Sequence, residues 1–118
     1  MLTFYGYDKC DTCRRARRAL ESWGVEVERI DITRTPPPKQ VLERALDSGG
    51  YALKELFNRS GQEYRKLGIK DRLPEMSRAE ALKLLAGNGR LVKRPIVTDG
   101  ERVTVGHDAA RFEATWKV

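Results

Sequence analysis

The sequence predicts an α/β fold in which a strand–helix–strand unit and a late β-hairpin are separated by a block of helices. Strand-type residues at positions 2–5 precede a helical pattern, and residues 25–30 then alternate between apolar and polar side chains. Residues 36 to about 90 show helical spacing without a strand pattern. Two short apolar runs follow, separated by Asp99 and Gly100 as in a tight hairpin. These observations predict a small mixed four-stranded sheet with a helical insertion between its second and third strands.

The composition is that of a folded domain. The chain has 118 residues, of which 34% are charged and 40% are hydrophobic, and its net charge is +6. Such a chain is long enough to bury a core and too apolar to be disordered, so we expect a single domain over residues 1–118. No apolar run reaches transmembrane length, and the first residues do not resemble a signal sequence. We therefore expect a cytoplasmic protein with no membrane partner.

The first predicted unit consists of a strand, a helix and a second strand. Ala16, Leu20 and Trp23 recur at helical spacing after Cys13, and Gly24 is a favourable residue for ending a helix. The alternating strand then returns to the sheet. Two strands joined by a helix lie parallel with a right-handed crossover, so we expect this unit to form one half of the sheet.

The central block contains helices separated by proline and glycine. Helical segments are expected at residues 39–48, 51–57, 63–67 and 78–87. The prolines at 36–38 fit the first turn of a helix, although they could also form a polyproline ligand, and Gly49 with Gly50 ends that helix. Ser77 and Glu80 form a capping-box pattern at the start of the last helix of the block.

The end of the sequence predicts the hairpin and a final helix. Apolar runs at residues 95–98 and 102–105 flank its turn. Asp108 then occupies the N-cap position of a helix whose inner face carries Phe112 and Trp116. This helix would cover the sheet after the last strand.

The chemistry is predicted at the junction between the first strand and the first helix. Cys10 and Cys13 lie there in C-x-x-C spacing. The start of a helix presents unpaired N–H groups and the positive end of the helix dipole, both of which favour an anion. We therefore interpret Cys10 as the nucleophilic thiolate, supported by Lys9 and Arg14. Cys13, one turn further into the helix, is interpreted as the more buried thiol that resolves a mixed disulfide.

Other interpretations of the cysteine pair are weaker. The two residues could be ordinary packing residues. A zinc site needs about four ligands, whereas the chain contains two cysteines and one histidine, so no metal site is predicted. A structural disulfide across so short a loop would add little stability. In a reducing compartment such a pair is more often catalytic or redox-sensing than structural.

The positive charge indicates anionic partners without identifying them. No known DNA-binding motif and no basic groove interleaved with aromatic residues is visible, so direct binding to nucleic acid is not expected. Acidic protein surfaces and small oxyanions are both compatible with the charge. Four arginines crowd the first helix, and most of them are expected on its solvated face. Arg14 is the one best placed to act beside the cysteines.

Several segments together carry a likeness to a known family. They are Phe4-Tyr5 before Cys10-Asp-Thr-Cys13, Asn58-Arg-Ser-Gly61 with Tyr64-Arg-Lys-Leu-Gly68, Lys93-Arg-Pro-Ile-Val97, and Val105-Gly106. Their order and spacing resemble the glutaredoxin-linked arsenate reductase (ArsC) and Spx family over nearly the whole chain, and most closely its reductase-like branch. The resemblance implies a thioredoxin-like fold with a helical insertion, in agreement with the pattern above.

The resemblance also implies roles for residues outside the cysteine pair. It implies that Arg94 binds an oxyanion, for which a guanidinium offers two parallel hydrogen bonds, and that Pro95 is the cis-proline beside the active thiol. A second anion-binding arginine falls at Asn58, with Arg59 next to it, and a third falls at His107. Without the resemblance, Arg94 could form a structural salt bridge, Arg59 could be a surface turn residue and His107 a simple loop residue.

Two functions follow from the resemblance. The first is a cytosolic, arsenate reductase-like thiol–disulfide oxidoreductase that acts on a small anionic or disulfide substrate. It would bind no cofactor and would receive electrons from glutathione, another thiol, thioredoxin or glutaredoxin. The second is an Spx-like redox regulator that binds RNA polymerase. Cys13 is typical of Spx and departs from most reductases of this type, as does Gly6, which stands where those reductases carry a histidine.

Overall fold

The structure, a computed structural model, describes residues 1–117. Its strands are β1 (Leu2–Gly6), β2 (Val27–Asp31), β3 (Ile96–Thr98) and β4 (Val103–Val105). They form one sheet in the order β2-β1-β3-β4. β1 pairs in parallel with β2 and antiparallel with β3, and β3 pairs antiparallel with β4. The predicted mixed four-stranded sheet is confirmed, and its topology is thioredoxin-like.

The helices follow the predicted order. They are α1 (Asp11–Ser22), α2 (Lys39–Asp47), α3 (Gln62–Lys66), α4 (Ile69–Arg72), α5 (Arg78–Gly87) and α6 (Ala109–Trp116). Short 3₁₀ segments lie at Leu53–Leu56, Leu73–Glu75 and Gly89–Leu91. The helical insertion between β2 and β3 is therefore present. Within residues 1–117, no helix combines the length and the apolar character that crossing a bilayer requires.

The differences from the predicted boundaries have local causes. Gly24 ends α1 in a left-handed conformation with φ +71°, and the Val25 N–H donates to the Leu20 carbonyl at 2.9 Å. Val25 is thus held by the helix end, and β2 begins two residues later than expected. The sequence pattern does not predict α4, because the expected helix covers residues 63–67 and Gly68 is a residue type that commonly ends a helix. The chain resumes as a helix after Gly68 because Ile69 becomes fully buried there.

Two apolar layers cover the two faces of the sheet. One layer joins β1 and β3 to α1 and α6 and includes Phe4, Cys13, Val97 and Trp116. The other layer packs the opposite face against the helical insertion. Successive residues of a strand point to opposite faces, so Phe4 and Tyr5 enter different layers. Cys13 therefore lies inside the layer between α1 and the sheet.

The insertion is joined to the start of β3 by backbone pairing that the helical pattern did not predict. Phe57 and Val92 form an isolated antiparallel bridge. The Asn58 N–H donates to the Leu91 carbonyl at 2.7 Å, and the Lys93 N–H donates to the Leu56 carbonyl at 2.8 Å. This pairing fixes Asn58 close to the segment that leads into β3.

Candidate active site

The first turn of α1 is built around Cys10. Cys10 is the N-cap residue, in an extended conformation (φ −98°, ψ 117°). Its sulfur accepts a hydrogen bond from the Cys13 N–H at 3.4 Å, and its own N–H donates to the Tyr7 carbonyl at 3.1 Å. The Cys10 side chain is half-buried. Its sulfur is therefore reachable from solvent and also faces an N–H of the helix start, as the sequence predicted.

Cys13 has the opposite character. It is 3% exposed. Burial raises the pKa of its thiol to about 12, together with the hydrogen bond and the charge of Cys10. A backbone hydrogen bond from Tyr7 and the charge of Arg94 lower this pKa less strongly. Cys13 is thus a protonated, protected thiol at neutral pH, one helical turn from the more exposed Cys10.

Gly6 allows the strand to approach α1 closely. A Cβ atom at Gly6 would lie 2.5 Å from Cε1 of Phe4 and 3.4 Å from Sγ of Cys13. The Phe4 ring is buried in the layer beneath α1 and has little room to move. A histidine side chain at this position would collide with that ring, which gives a physical reason for glycine here.

Arg94 is the cation whose charge influences the pKa of Cys13. It is half-buried, and its guanidinium carbon lies 5.2 Å from the ring centroid of Tyr7. Its charge lowers the pKa of the Cys13 thiol. Among residues 1–117, no acidic side chain forms a salt bridge with it, so the alternative of a structural salt bridge lacks a partner there. Pro95, the next residue, is buried, and the Arg94–Pro95 bond is cis.

Asn58 lies between two shallow grooves. One groove, of about 280 Å³, is also lined by Arg90, Arg94 and the acidic residue Glu63. The other, of about 440 Å³, is also lined by Arg59 and Lys93. Arg59 itself is exposed in the turn that follows Asn58. The structure thus brings Asn58 to the same groove as Arg94, whereas Arg59 faces the neighbouring one.

The remaining predicted residues lie at the edges of this region. The His107 ring stands edge-on to Phe112, with ring centroids 4.9 Å apart. Burial, and then the charge of Arg15, lower the pKa of His107, so the imidazole is neutral at pH 7. Arg14 forms an ion pair with Asp11, and it also donates to the Asp8 carbonyl at 3.3 Å.

The arrangement therefore combines two sulfurs with Arg94, an arginine that forms no salt bridge within residues 1–117. The Cys10 sulfur contacts the Cys13 N–H, and the charge of Arg94 lowers the pKa of Cys13. The Arg14 guanidinium is engaged with Asp11 and with the Asp8 carbonyl. Within residues 1–117, no three histidine, cysteine or acidic side chains are grouped as a metal site requires. Such a site can perform thiol exchange beside a positive charge.

Sequence reasoning missed Tyr7. The Tyr7 carbonyl accepts a hydrogen bond from the Cys10 N–H, and the Tyr7 ring contacts the Arg94 guanidinium. These two partners of Tyr7 are far apart in the sequence. The available signal was an aromatic residue in an otherwise polar loop between the strand and the cysteines, at positions 7–9.

Known proteins share this scaffold. A sequence model of the ArsC family matches residues 5–115. The chain is 49% identical to the uncharacterized protein YusI of Bacillus subtilis over 98% of each chain. The crystal structure of a possible arsenate reductase from Streptococcus mutans UA159 matches with a TM-score of 0.85 and 43% identity over 92% of each chain. The global transcriptional regulator Spx of Streptococcus agalactiae is 26% identical over 97% of this chain and 82% of that protein. The chain belongs to the ArsC family.

Proposed function

We propose that this protein is a cytoplasmic thiol–disulfide oxidoreductase of the arsenate reductase type. In this reaction Cys10 attacks the substrate and Cys13 resolves the intermediate. One observation carries the proposal: the first turn of α1 presents a half-buried sulfur at the N-cap and a buried, protonated thiol one turn further on. This division of exposure matches the two different tasks of an attacking and a resolving cysteine.

The first step uses the helix start. The Cys10 thiolate attacks one sulfur of a disulfide, so that a new S–S bond forms and the second substrate sulfur leaves as a thiolate that takes a proton from water. The Cys13 N–H, directed at the Cys10 sulfur, stabilises the attacking anion. With an oxyanion such as arsenate, the same sulfur bonds to arsenic and displaces one oxygen as hydroxide.

The second step follows from the causes that raise the pKa of Cys13. Apart from burial, both raising effects, a hydrogen bond and a negative charge, come from Cys10. Both are lost once Cys10 is covalently bound, so the Cys13 proton becomes easier to remove. Cys13 then attacks the Cys10 sulfur, which forms the Cys10–Cys13 disulfide and expels the substrate thiol. With arsenate, the sulfur–arsenic electron pair stays on arsenic, which leaves as arsenite.

The cycle closes when two thiol groups of an external donor reduce the Cys10–Cys13 disulfide and are themselves oxidised to a disulfide. Glutathione, another low-molecular-weight thiol, thioredoxin or glutaredoxin would serve as donor. Arg94 would bind the anionic part of the substrate, because its guanidinium forms no salt bridge among residues 1–117, although Glu63 lines the groove that Arg94 shares with Asn58. Pro95 would shape the wall beside the thiol. Arg59 would contact a substrate large enough to reach the neighbouring groove.

The test is turnover with arsenate and with small disulfides, each donor being tried in turn. Wild type is compared with Cys10→Ser and Cys13→Ser. We expect Cys10→Ser to be inactive and Cys13→Ser to accumulate a covalent Cys10 adduct that mass spectrometry detects. Full reductase activity in Cys10→Ser would contradict the proposal.

A second candidate function is a redox-sensing regulator that binds RNA polymerase. It is favoured by the similarity to Spx over 97% of the chain and by the net charge of +6. The test is a pull-down of bacterial RNA polymerase with the fully reduced and the fully oxidised protein. Retention that depends on the redox state would support the regulator, whereas no retention in either state would eliminate it.

A further inference from the structure

Tyr7 touches each part of the candidate site through a different group. Its carbonyl accepts the Cys10 N–H at 3.1 Å, and its backbone forms a hydrogen bond to the Cys13 thiol. Its ring lies 5.2 Å, centroid to carbon, from the guanidinium of Arg94. The backbone contacts would survive a change of side chain. The contact with Arg94 is therefore the part of Tyr7 that depends on the residue being aromatic.

Arg94 has few other constraints on its position. Within residues 1–117, its guanidinium forms no salt bridge and no side-chain hydrogen bond. An arginine side chain has many rotamers, and holding it in one of them costs conformational entropy. A cation within about 6 Å of an aromatic centroid is attracted to the face of the ring. The Tyr7 ring is thus the contact in the structure that can select one direction for this charge.

We propose that Tyr7 is a positioning residue whose ring holds the Arg94 guanidinium near the first turn of α1, so that anionic reactants are attracted to the Cys10 sulfur. The proposal rests on the proposed function for the anionic substrate, but the placement of the charge can be measured without any substrate. The ring face, and not the hydroxyl, performs this role, because the Tyr7 hydroxyl donates no hydrogen bond to residues 1–117.

The experiment uses two alkylating reagents of similar size that differ in charge, anionic iodoacetate and neutral iodoacetamide. Each is reacted with the reduced, full-length protein, and mass spectrometry follows modification of Cys10. Both reagents consume the same thiolate, so the ratio of their rates cancels the degree of ionisation of the thiol. The ratio therefore reports the electrostatic potential that a negatively charged reactant meets at the sulfur.

We expect Arg94→Gln to lower the iodoacetate-to-iodoacetamide ratio by about threefold to tenfold, as loss of a nearby unit charge predicts. Tyr7→Leu should lower it in the same direction, although it changes no charge. Tyr7→Phe is the matched control and should keep the ratio within about twofold of wild type. The double variant Tyr7→Leu with Arg94→Gln should equal Arg94→Gln alone, because the two residues act as one unit.

Three results would overturn the proposal. The ratio could stay at its wild-type value in Tyr7→Leu, it could be unaffected by Arg94→Gln, or the two effects could add in the double variant. Circular dichroism and thermal unfolding establish that each variant is folded before its ratio is used. Failure of the proposed function would appear as absence of turnover in wild type, which leaves this ratio measurable, so the two failures are distinguishable.

Discussion

The starts of α1 and α5 have the same capping geometry with different atoms. At α1, the sulfur of Cys10 accepts the N–H of the residue three positions on at 3.4 Å. At α5, the hydroxyl oxygen of Ser77 accepts the Glu80 N–H at 3.1 Å. Serine is among the preferred N-cap residues and cysteine is not. α1 therefore begins on a weaker acceptor, and that acceptor is an atom that can ionise and form covalent bonds.

The arginines near the two helix starts also differ in whether they are paired with a carboxylate. At α5, the nearest arginine, Arg78, is paired with Asp47 at 2.9 Å. At α1, Arg14 is likewise paired with Asp11, but Arg94 lies on an aromatic ring without an acidic partner in the part of the chain that the structure describes. An arginine paired with a carboxylate contributes to the stability of the fold, whereas an arginine without such a partner remains available to an incoming anion. One local motif can therefore serve stability or chemistry, depending on which of its charged groups already have partners.

The largest expected effect is on turnover, which should depend on the cap residue of α1 and not on that of α5. Cys10→Ser should lower turnover by about a thousandfold or more, because the attacking sulfur is removed. Ser77→Ala should keep wild-type turnover, because Ser77 caps a helix of the insertion and not the helix that carries the cysteines. Steady-state assays with arsenate and a small disulfide check both variants. Equal loss in the two variants would erase the functional distinction between the caps.

The next effect is a difference in alkylation rate between Cys10 and Cys13. Because the pKa of Cys13 is raised to about 12, only about one thiol in ten thousand is ionised at pH 8. We expect Cys13 to react with iodoacetamide at least about a hundredfold more slowly than Cys10 at that pH. Its rate should rise by about tenfold per pH unit, because the ionised fraction grows as pH approaches the raised pKa. Mass spectrometry of partly modified protein measures both rates, and comparable rates at pH 8 would contradict the assigned roles.

The fold and the cap were predictable because their signals are local. Turn residues, the C-x-x-C spacing and the capping box each lie within a few neighbouring residues, so the hairpin, the start of α1 and the Ser77 cap could be inferred from the sequence. The cap of α6 was equally visible, and the Asp108 carboxylate accepts the Arg111 N–H at 3.2 Å as expected. α4 was missed because Gly68 carries a stop signal and only tertiary burial of Ile69 explains why the helix resumes.

The rest of the site depends on contacts between distant residues. The bridge between Phe57 and Val92 and the contact between Tyr7 and Arg94 join segments that no local pattern relates. Arg14 shows how a local pattern can omit a competing partner. It was expected to support Cys10 because of its position in the first turn, but Asp11, three residues earlier on the same face, pairs with it.

A smaller effect concerns the stability of the oxygen cap. Ser77→Ala should lower the free energy of unfolding by about 1 kcal/mol, because it leaves the Glu80 N–H without its acceptor. Urea unfolding of the reduced protein measures the change. Ser77→Thr retains the hydroxyl and serves as the matched control. A loss of equal size in that variant would show that side-chain fit, and not the hydrogen bond, accounts for the effect.

The smallest effect concerns the sulfur cap of α1. Replacing Cys10 by serine should raise the free energy of unfolding, whereas Ser77→Ala lowers it. Cys10→Ser replaces a weak acceptor by a preferred N-cap residue, which stabilises α1, but it also removes a sulfur that packs against the apolar layer between α1 and the sheet. We expect a net change between about zero and a 1 kcal/mol gain in the free energy of unfolding. Cys10→Ala loses the acceptor altogether and should be about 1 kcal/mol less stable than Cys10→Ser. Equal stability of the serine and alanine variants in urea would mean that the Cys13 N–H gains nothing from the side chain at position 10. The first turn of α1 would then be held by packing alone, and sulfur there would carry no stability cost relative to oxygen.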